Sequence, residues 1–147
     1  MTVVITGASG FLGRHVVNEI RKLNFSIIAI CRNRLVAPVN LKLNEVACVD
    51  SSATVKEFES FFAEISGPVV VAHLAAHYSN LHLADDVTKL VESNIHFPTR
   101  LVDALWRAKP NSTVINISTL FQHFESRDYS PLSLYGATKE SFLKILD

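Results

Sequence analysis

Short apolar runs alternate with amphipathic stretches along the whole chain. Each apolar run has the length and the uninterrupted character of a parallel strand that is buried on both faces. The five predicted strands are residues 3–5, 26–31, 45–49, 69–74 and 113–117. Apolar residues at helical spacing predict helices over residues 11–23, 54–65, 84–108 and from 132 onwards. Strands that alternate with helices favour a single α/β domain over residues 1–147, with a parallel sheet and right-handed crossovers.

Several residues mark where the predicted elements begin, bend or end. Thr54 is suited to cap the second helix, since its hydroxyl can accept a hydrogen bond from an N–H group of the first turn. Pro98 predicts a kink inside the long third helix. The stretch 32–43 has no regular pattern, and a loop is expected between the fifth strand and Pro131.

A glycine-rich turn follows the first strand directly. Gly7 permits a tight turn, Gly10 lets backbone approach a pyrophosphate, and Gly13 lets the following helix pack closely. The free N–H groups and the positive end of the helix dipole then attract the anion. Glycine patterns also occur in ordinary surface turns, but the position between a strand and a helix favours dinucleotide binding.

Two further groups of residues could carry chemistry. Tyr135 and Lys139 are four residues apart on a predicted helix, so they share a face. A nearby cation is expected to lower the pKa of a tyrosine towards working pH, as a general acid or base requires. Ser118 and Thr119 end the fifth strand, where ligands bind in open parallel sheets. Taken alone, the spacing of Tyr135 and Lys139 could arise by chance. The residues Ser118 and Thr119 could simply form a turn and bond to their own backbone.

Composition narrows the classes of partner. The chain has 147 residues and a formal net charge of zero, with no basic stripe, so a nucleic-acid partner is not expected. No apolar stretch is long enough to span a membrane and no signal-peptide pattern is present, which favours a cytoplasmic protein. Cys31 and Cys48 lie in apolar runs and are interpreted as reduced core residues rather than a disulfide or a metal pair.

No metal site is predicted, although the chain contains six histidines. His73, His77 and His82 come from a strand end and a loop, without the spacing of a metal-binding helical face. His73 is interpreted as structural, and His77 as a residue near the cofactor.

Four motifs, taken in order, resemble the extended short-chain dehydrogenases/reductases, which are also called the NAD-dependent epimerase/dehydratase family. The motifs are Gly7-x-x-Gly10-x-x-Gly13, His73-Leu74-Ala75-Ala76, Ser118-Thr119 and Tyr135-x-x-x-Lys139. The resemblance covers the whole chain but only the N-terminal half of a typical member. It implies a Rossmann-type, doubly wound parallel sheet with helices on both faces, truncated before the C-terminal substrate lobe. The amino-acid sequence of residues 117–123 and 132–139 is most similar to that of nucleotide-sugar ketoreductases, the branch that includes the CDP-abequose and CDP-paratose synthases.

The resemblance implies roles for individual residues. Tyr135 is expected to donate a proton to the reacting oxygen or accept one from it. Lys139 is expected to lower the pKa of Tyr135 and to hold the nicotinamide ribose. Thr119 is expected to position the substrate oxygen, and Ser118 is the less favoured candidate for that role. The implied cofactor-binding residues are Gly7, Gly10, Phe11, Leu12, Gly13, Asp50, Ser51, Leu74, Ala75, Ala76, Asn94 and Lys139. Among them, Phe11 and Leu12 are expected near the pyrophosphate, and Asp50 and Ser51 near the adenine.

Two departures from the family pattern are informative. Where many NAD-dependent relatives end the second strand with an aspartate, this chain has Cys31, followed by Arg32 and Arg34. An arginine can pair with a 2′-phosphate, so NADP(H) is favoured over NAD(H), although both arginines could be solvated loop charges. The dehydratase branch has an Asp-Glu pair after its catalytic threonine, where this chain has Leu120 and Phe121. Dehydration is therefore disfavoured, whereas epimerisation needs no such pair.

The expected function is NADPH-dependent reduction of a nucleotide-linked keto-sugar. The alternatives are a nucleotide-sugar 4-epimerase with tightly bound NAD and a non-catalytic NAD(P)-binding sensor, against which the Tyr135–Lys139 pair argues. The last helical pattern is still running at Asp147, so the chain is expected to be a fragment that binds cofactor but is inactive alone. An uncovered sheet edge then predicts self-association. A homodimer through the helices at 84–108 and from 132 onwards is the other possibility that the resemblance implies.

Overall fold

A five-stranded parallel sheet lies at the centre of the computed structural model, which describes residues 1–32, 41–49, 52–79 and 83–147. The strands are β1 (Thr2–Thr6), β2 (Ser26–Cys31), β3 (Val46–Cys48), β4 (Val69–His73) and β5 (Thr113–Asn116). They are ordered β3-β2-β1-β4-β5, and every neighbouring pair is parallel. The predicted strands and the Rossmann-type sheet are therefore confirmed.

The helices follow the predicted alternation. They are α1 (Phe11–Lys22), α2 (Val55–Ala63), α3 (Ala84–Val91), α4 (Phe97–Ala108) and α5 (Leu134–Leu146). Thr54 caps α2 as expected: its hydroxyl accepts from the N–H of Glu57, whose carboxylate accepts from the N–H of Thr54. The last helix begins two residues after the predicted start, because Ser133 takes the cap position and accepts from the N–H of Gly136.

The long helix predicted over 84–108 is interrupted. A π-helical turn, Glu92–His96, separates α3 from α4, and the N–H of Phe97 bonds to the carbonyl of Glu92, five residues earlier. Pro98 follows directly and has no N–H to return to the carbonyl of Asn94, so regular α-helical bonding cannot continue there. The predicted irregularity is present, but its form is a widened turn.

The strand order places β1 in the middle of the sheet, between β2 and β4. The chain runs from β1 to β2 and β3 on one side of the sheet, and then crosses to β4 and β5 on the other side. The carboxyl ends of β1 and β4 therefore form the topological switch point. Thr6 and His73 are register partners at that point. The loops that follow β1 and β4 are therefore where a ligand of this fold is expected.

Apolar residues of the central strands form the core beneath α1. Val3 and Ile5 of β1 pack with Ile27 and Ala29 of β2, and Val17 of α1 is buried with them. This arrangement fixes the start of α1 over the end of β1.

The two cysteines lie opposite each other on β2 and β3, and both are free thiols. Cys31 is buried, and burial together with the nearby Cys48 raises the pKa of its thiol. Cys48 is exposed, because it is the last residue of an edge strand. The interpretation of both residues as core cysteines is therefore wrong for Cys48.

The chain is divided into two compact units. The sheet unit contains residues 1–75 and 100–116, and therefore all five strands. The helical unit contains residues 76–99 and 117–147, including α3 and α5. In the described part of the chain, no helix is long and apolar enough to cross a membrane, and no group of three metal-ligating side chains occurs.

We expect the chain to self-associate through β5. Among the described residues this strand pairs only with β4, so the backbone of its other edge has no strand partner. The side chain of Ile115 on this strand is 51% exposed. Light scattering over a concentration series should show association, and Ile115→Lys should raise its dissociation constant about tenfold or more, since a charge opposes edge pairing. Val87→Lys changes an equally exposed residue of α3 and serves as the comparison. If Val87→Lys dissociates the protein and Ile115→Lys does not, the contact lies on the helix.

Candidate functional site

The turn after β1 can be made only by glycine at its first position. Gly7 has a φ of +69°, in the left-handed region. A Cβ there would lie 2.6 Å from the backbone nitrogen of Ala75 in the loop after β4. The N–H of Gly10 closes the turn by donating to the carbonyl of Gly7 over 2.9 Å. Conformation and space therefore both require glycine at this position.

The other two glycines of the turn are under different constraints. A Cβ on Gly13 would lie 2.1 Å from the carbonyl oxygen of Gly7 and 2.6 Å from the Cα of Ala8, so α1 is in backbone contact with the turn. A Cβ on Gly10 would meet only the Gly7 oxygen, at 3.2 Å. The packing of the protein itself therefore excludes any larger residue at position 13, whereas at position 10 it opposes a side chain only weakly. Because only that one oxygen lies near, the backbone at Gly10 can be approached closely, as a pyrophosphate requires.

The positive end of α1 is uncompensated. Its N-cap is Gly10, which makes no side-chain cap bond, and no acidic residue occurs in the first turn. Phe11, the first helical residue, is 86% exposed, and Leu12 is also exposed. Backbone N–H groups at such a helix start bind phosphate well, so the turn fits the pyrophosphate of a dinucleotide.

Hydrogen bonds to Thr6 hold the loop after β4 beside the turn. The N–H of Leu74 donates to the Thr6 carbonyl over 3.3 Å, and the N–H of Ala75 donates to the Thr6 hydroxyl over 3.2 Å. The same hydroxyl lies 2.8 Å from Nδ1 of His73, which is buried. His73 therefore has the structural role expected of it, whereas Thr6 was missed, and its only signal is a hydroxyl at a strand end.

The residues predicted to hold the adenine and the ribose are only partly within the described chain. Arg32 is exposed directly after β2, with no hydrogen bond or ion pair among the residues that the structure describes. Arg34, Asp50 and Ser51 lie outside the described residues, and their roles remain predictions.

The helical unit carries the predicted catalytic pair on α5. Lys139 is only 4% exposed, and its ammonium group has no hydrogen bond or ion pair within the described ranges. Burial lowers the pKa of Lys139. The side chain is largely buried, but its ammonium nitrogen is not fully enclosed. An unpaired ammonium in such surroundings is suited to an acceptor supplied by a ligand.

The pKa of Tyr135 moves in the direction opposite to the one expected. Burial raises the pKa of Tyr135, and the neighbouring Tyr78 raises it further, whereas the sequence predicted a lowering by Lys139. The reason is that the ring is half-buried against other aromatic residues: Tyr78 meets it edge-to-face at 5.0 Å between centroids, and Phe121 at 6.3 Å. The phenol is therefore protonated at neutral pH.

Thr119 is held as the cap of a short helical turn, Leu120–Gln122. Its hydroxyl accepts from the N–H of Phe121 over 3.3 Å, and its own N–H donates to Oε1 of Gln122 over 3.1 Å. The hydroxyl hydrogen has no acceptor among the described residues, so it can donate to a ligand. Ser118, by contrast, uses its hydroxyl to donate to Gln122.

Asn94, predicted to contact the cofactor, uses its side chain within the protein. Its Oδ1 accepts from the N–H of His77 over 2.8 Å, and its Nδ2 donates to the carbonyl of His77 and to the Thr138 hydroxyl. Both amide hydrogens are thereby used. Asn94 thus ties the loop after β4 to α5, and Ala76, also predicted to contact the cofactor, is exposed in that loop.

The order of the strands, the glycine turn after β1 and the helix that carries Tyr135 and Lys139 are together typical of one class of protein. This class is the Rossmann-type short-chain dehydrogenases/reductases. The model of the NAD dependent epimerase/dehydratase family matches residues 3–147. The chain therefore belongs to the NAD-dependent epimerase/dehydratase family.

Individual relatives are distant. CDP-abequose synthase from Salmonella typhimurium (strain LT2) is 26% identical over 144 residues, which cover 97% of this chain and 46% of the relative. The Thermus thermophilus UDP-glucose 4-epimerase in complex with NAD has a TM-score of 0.81 at 23% identity, over 99% of this chain and 50% of that one. The Bacillus cereus UDP-glucuronic acid 4-epimerase in complex with NAD has a TM-score of 0.77 at 24% identity, over 99% and 51%. The chain thus spans about half the length of these relatives, and the two structures support the fold.

We expect replacement of Lys139 by methionine to stabilise the chain. Methionine fills a similar volume without a buried charge, so the free energy of unfolding at pH 7 should rise by about 1 kcal/mol in urea titrations. The gain should shrink as the pH rises through the lowered pKa of Lys139, because the folded wild-type chain then loses the unfavourable charge. Lys89→Met on α3 is the control. Destabilisation by Lys139→Met at neutral pH would show that the ammonium has a partner.

Proposed function

We propose that this chain is the cofactor-binding and catalytic part of an NADPH-dependent reductase that acts on a nucleotide-linked keto-sugar. The observation that carries the proposal is the pair of unpartnered polar groups on α5. Among the described residues, neither the Tyr135 hydroxyl nor the ammonium of Lys139 has a hydrogen-bond partner. Neither atom is fully buried, so both polar groups are accessible to a ligand and suited to bind its atoms.

The sheet unit is proposed to hold the phosphate end of the cofactor. Its glycine turn and the bare start of α1 fit a pyrophosphate, with Phe11 and Leu12 supplying backbone N–H groups. Leu74 and Ala75 lie beside the turn and are proposed to line the cofactor. Arg32 is proposed to pair with the 2′-phosphate, and this preference for NADPH rests on the absence of a carboxylate at Cys31.

The helical unit is proposed to carry out the proton chemistry. When bound, NADPH supplies the hydride that reduces the ketone carbon. Tyr135 donates its phenolic proton to the ketone oxygen, which its raised pKa permits because the phenol is protonated at neutral pH. Lys139 stabilises the phenolate that remains and donates to the nicotinamide ribose. Thr119 donates its unused hydroxyl hydrogen to the same substrate oxygen and fixes its position.

The substrate class rests on the relatives and on one local feature. The curated relative is named as a CDP-abequose synthase, and a CDP-linked keto-sugar is the corresponding proposal for this chain. Leu120 and Phe121 present no carboxylate after Thr119, so this segment cannot move protons at a sugar carbon as dehydration requires. Epimerisation with bound NAD remains the second candidate, because the two solved relatives above are named as NAD complexes of 4-epimerases.

We expect the chain to bind NADPH at least tenfold more tightly than NADH. Titration followed by nicotinamide fluorescence measures both affinities. Arg32→Asp should abolish the preference by removing a cation and adding a carboxylate near the 2′-phosphate, whereas Arg127→Asp makes the same charge change in an exposed loop and should preserve it. Equal affinity for the two cofactors, or a preference untouched by Arg32→Asp, would contradict the assignment of Arg32. Binding of neither cofactor would contradict the proposal as a whole.

We expect Tyr135→Phe to abolish reduction while leaving NADPH binding intact. In the protein that carries this chain, oxidation of NADPH at 340 nm with a CDP-linked keto-sugar should fall by about 10²–10⁴-fold, because the proton donor is lost. Tyr129→Phe, at an exposed loop tyrosine, is the matched control. An active Tyr135→Phe variant would contradict the mechanism. Conversion of a nucleotide sugar without NADPH consumption would favour the 4-epimerase.

A further inference from the structure

The side chain of Gln122 is the hydrogen-bond centre of the segment that carries Thr119. Gln122 is completely buried. Its Oε1 accepts from the hydroxyl of Ser118 and, over 3.1 Å, from the N–H of Thr119. Its Nε2 donates to Oε2 of Glu140 on α5. One amide therefore joins the segment after β5 to the helix that carries Tyr135.

The chemistry of the partners dictates how this amide is oriented. The N–H of Thr119 can only donate, and the Glu140 carboxylate can only accept. A single orientation of the Gln122 amide satisfies both. Leucine at this position would offer neither group, and glutamate would place a second carboxylate against Glu140.

Glu140 depends on this bond as well. It is 8% exposed and directly follows Lys139 in the chain. Its other oxygen lies 3.8 Å from the ammonium of Lys144, an exposed residue, so the amide of Gln122 is its closest donor among the described residues. A buried carboxylate without donors is strongly unfavourable.

Backbone contacts at the same place leave little freedom for the segment. A Cβ on Gly136 of α5 would lie 2.5 Å from the carbonyl oxygen of Phe121, so helix and segment are in backbone contact. That carbonyl also accepts from the N–H of Leu132 over 2.9 Å. The N–H of Ser130 donates to the Gln122 carbonyl over 2.8 Å. Because these hydrogen bonds and this backbone contact link the segment to α5, a change in the Gln122–Glu140 hydrogen bond is expected to displace Thr119.

We infer that Gln122 and Glu140 are positioning residues, which hold Thr119 at a fixed place relative to Tyr135 on α5. This role rests on the proposed function of Thr119 as the donor to the substrate oxygen. Gln122 keeps the Thr119 N–H occupied and the cap turn closed, so the Thr119 hydroxyl accepts from Phe121 and keeps its hydrogen for substrate. Small displacements of such a group lower the rate of the chemical step more than they lower binding.

The inference is tested by exchanging the two side chains. Gln122→Glu alone sets two carboxylates against each other in a buried site. In the double variant Gln122→Glu/Glu140→Gln, the carboxylate at 122 accepts from Ser118, from Thr119 and from the new amide at 140, so every bond is restored. The net charge of the double variant equals that of the wild type. Asn111→Asp, in an exposed turn, controls for the charge added by the single variant.

Two readouts separate positioning from general stability. Hydrogen exchange of the Thr119 amide should be at least tenfold faster in Gln122→Glu and return to the wild-type rate in the double variant. NADPH oxidation with the keto-sugar should show kcat lowered at least tenfold in the single variant, with the KM for NADPH within twofold, and kcat restored in the double variant. Unchanged exchange in Gln122→Glu, or a double variant as impaired as the single one, overturns the inference. A wild-type protein that does not oxidise NADPH overturns the proposed function, while the exchange measurement tests the positioning of Thr119 separately.

Discussion

The tightest constraint in this protein is the backbone contact at the end of β1. Gly7 lies in the left-handed region and within contact distance of the backbone at Ala75, and Gly13 brings α1 onto the same turn. Because β1 is the central strand, this one turn fixes the start of α1 and the loop after β4 together. Thr6 completes the arrangement by bonding to Leu74 and Ala75. The sheet unit therefore presents a preformed backbone turn at its switch point.

The helical unit is built around the opposite situation, a group that the protein leaves unsatisfied. Lys139 is nearly as buried as a core leucine, yet its ammonium has no partner within the described residues. The lowered pKa of Lys139 and the raised pKa of Tyr135 share one cause, since burial disfavours the charged form of each. At neutral pH this penalty falls on Lys139 alone, because the phenol of Tyr135 is protonated and uncharged. Such local conflict with the rules of burial is characteristic of functional sites.

Most of the fold could be predicted from the sequence, and much less of the site could. The five strands and the glycine turn depend on local patterns that one sequence displays, and the cap at Thr54 does as well. Whether Tyr135 is solvated or buried depends on Tyr78 and Phe121, which are not its neighbours in the sequence. The predicted lowering of the pKa of Tyr135 is therefore wrong, because burial raises it. The exposure of Cys48 likewise depends on which strand lies at the edge of the sheet. Gln122 gave no signal, because a lone glutamine in a loop acquires meaning only when Glu140 is beside it.

The residues that flank Lys139 show why the unsatisfied ammonium can persist. Thr138 accepts from Asn94 in the π-helical turn and donates to the carbonyl of Tyr135. Glu140 accepts from Gln122 in the segment after β5. Two separate parts of the helical unit thus anchor α5 immediately before and after Lys139. These hydrogen bonds on both sides hold this part of α5 in position. The ammonium is therefore held in place before any ligand binds. In the proposed mechanism, this avoids reorganisation when the Tyr135 phenolate forms.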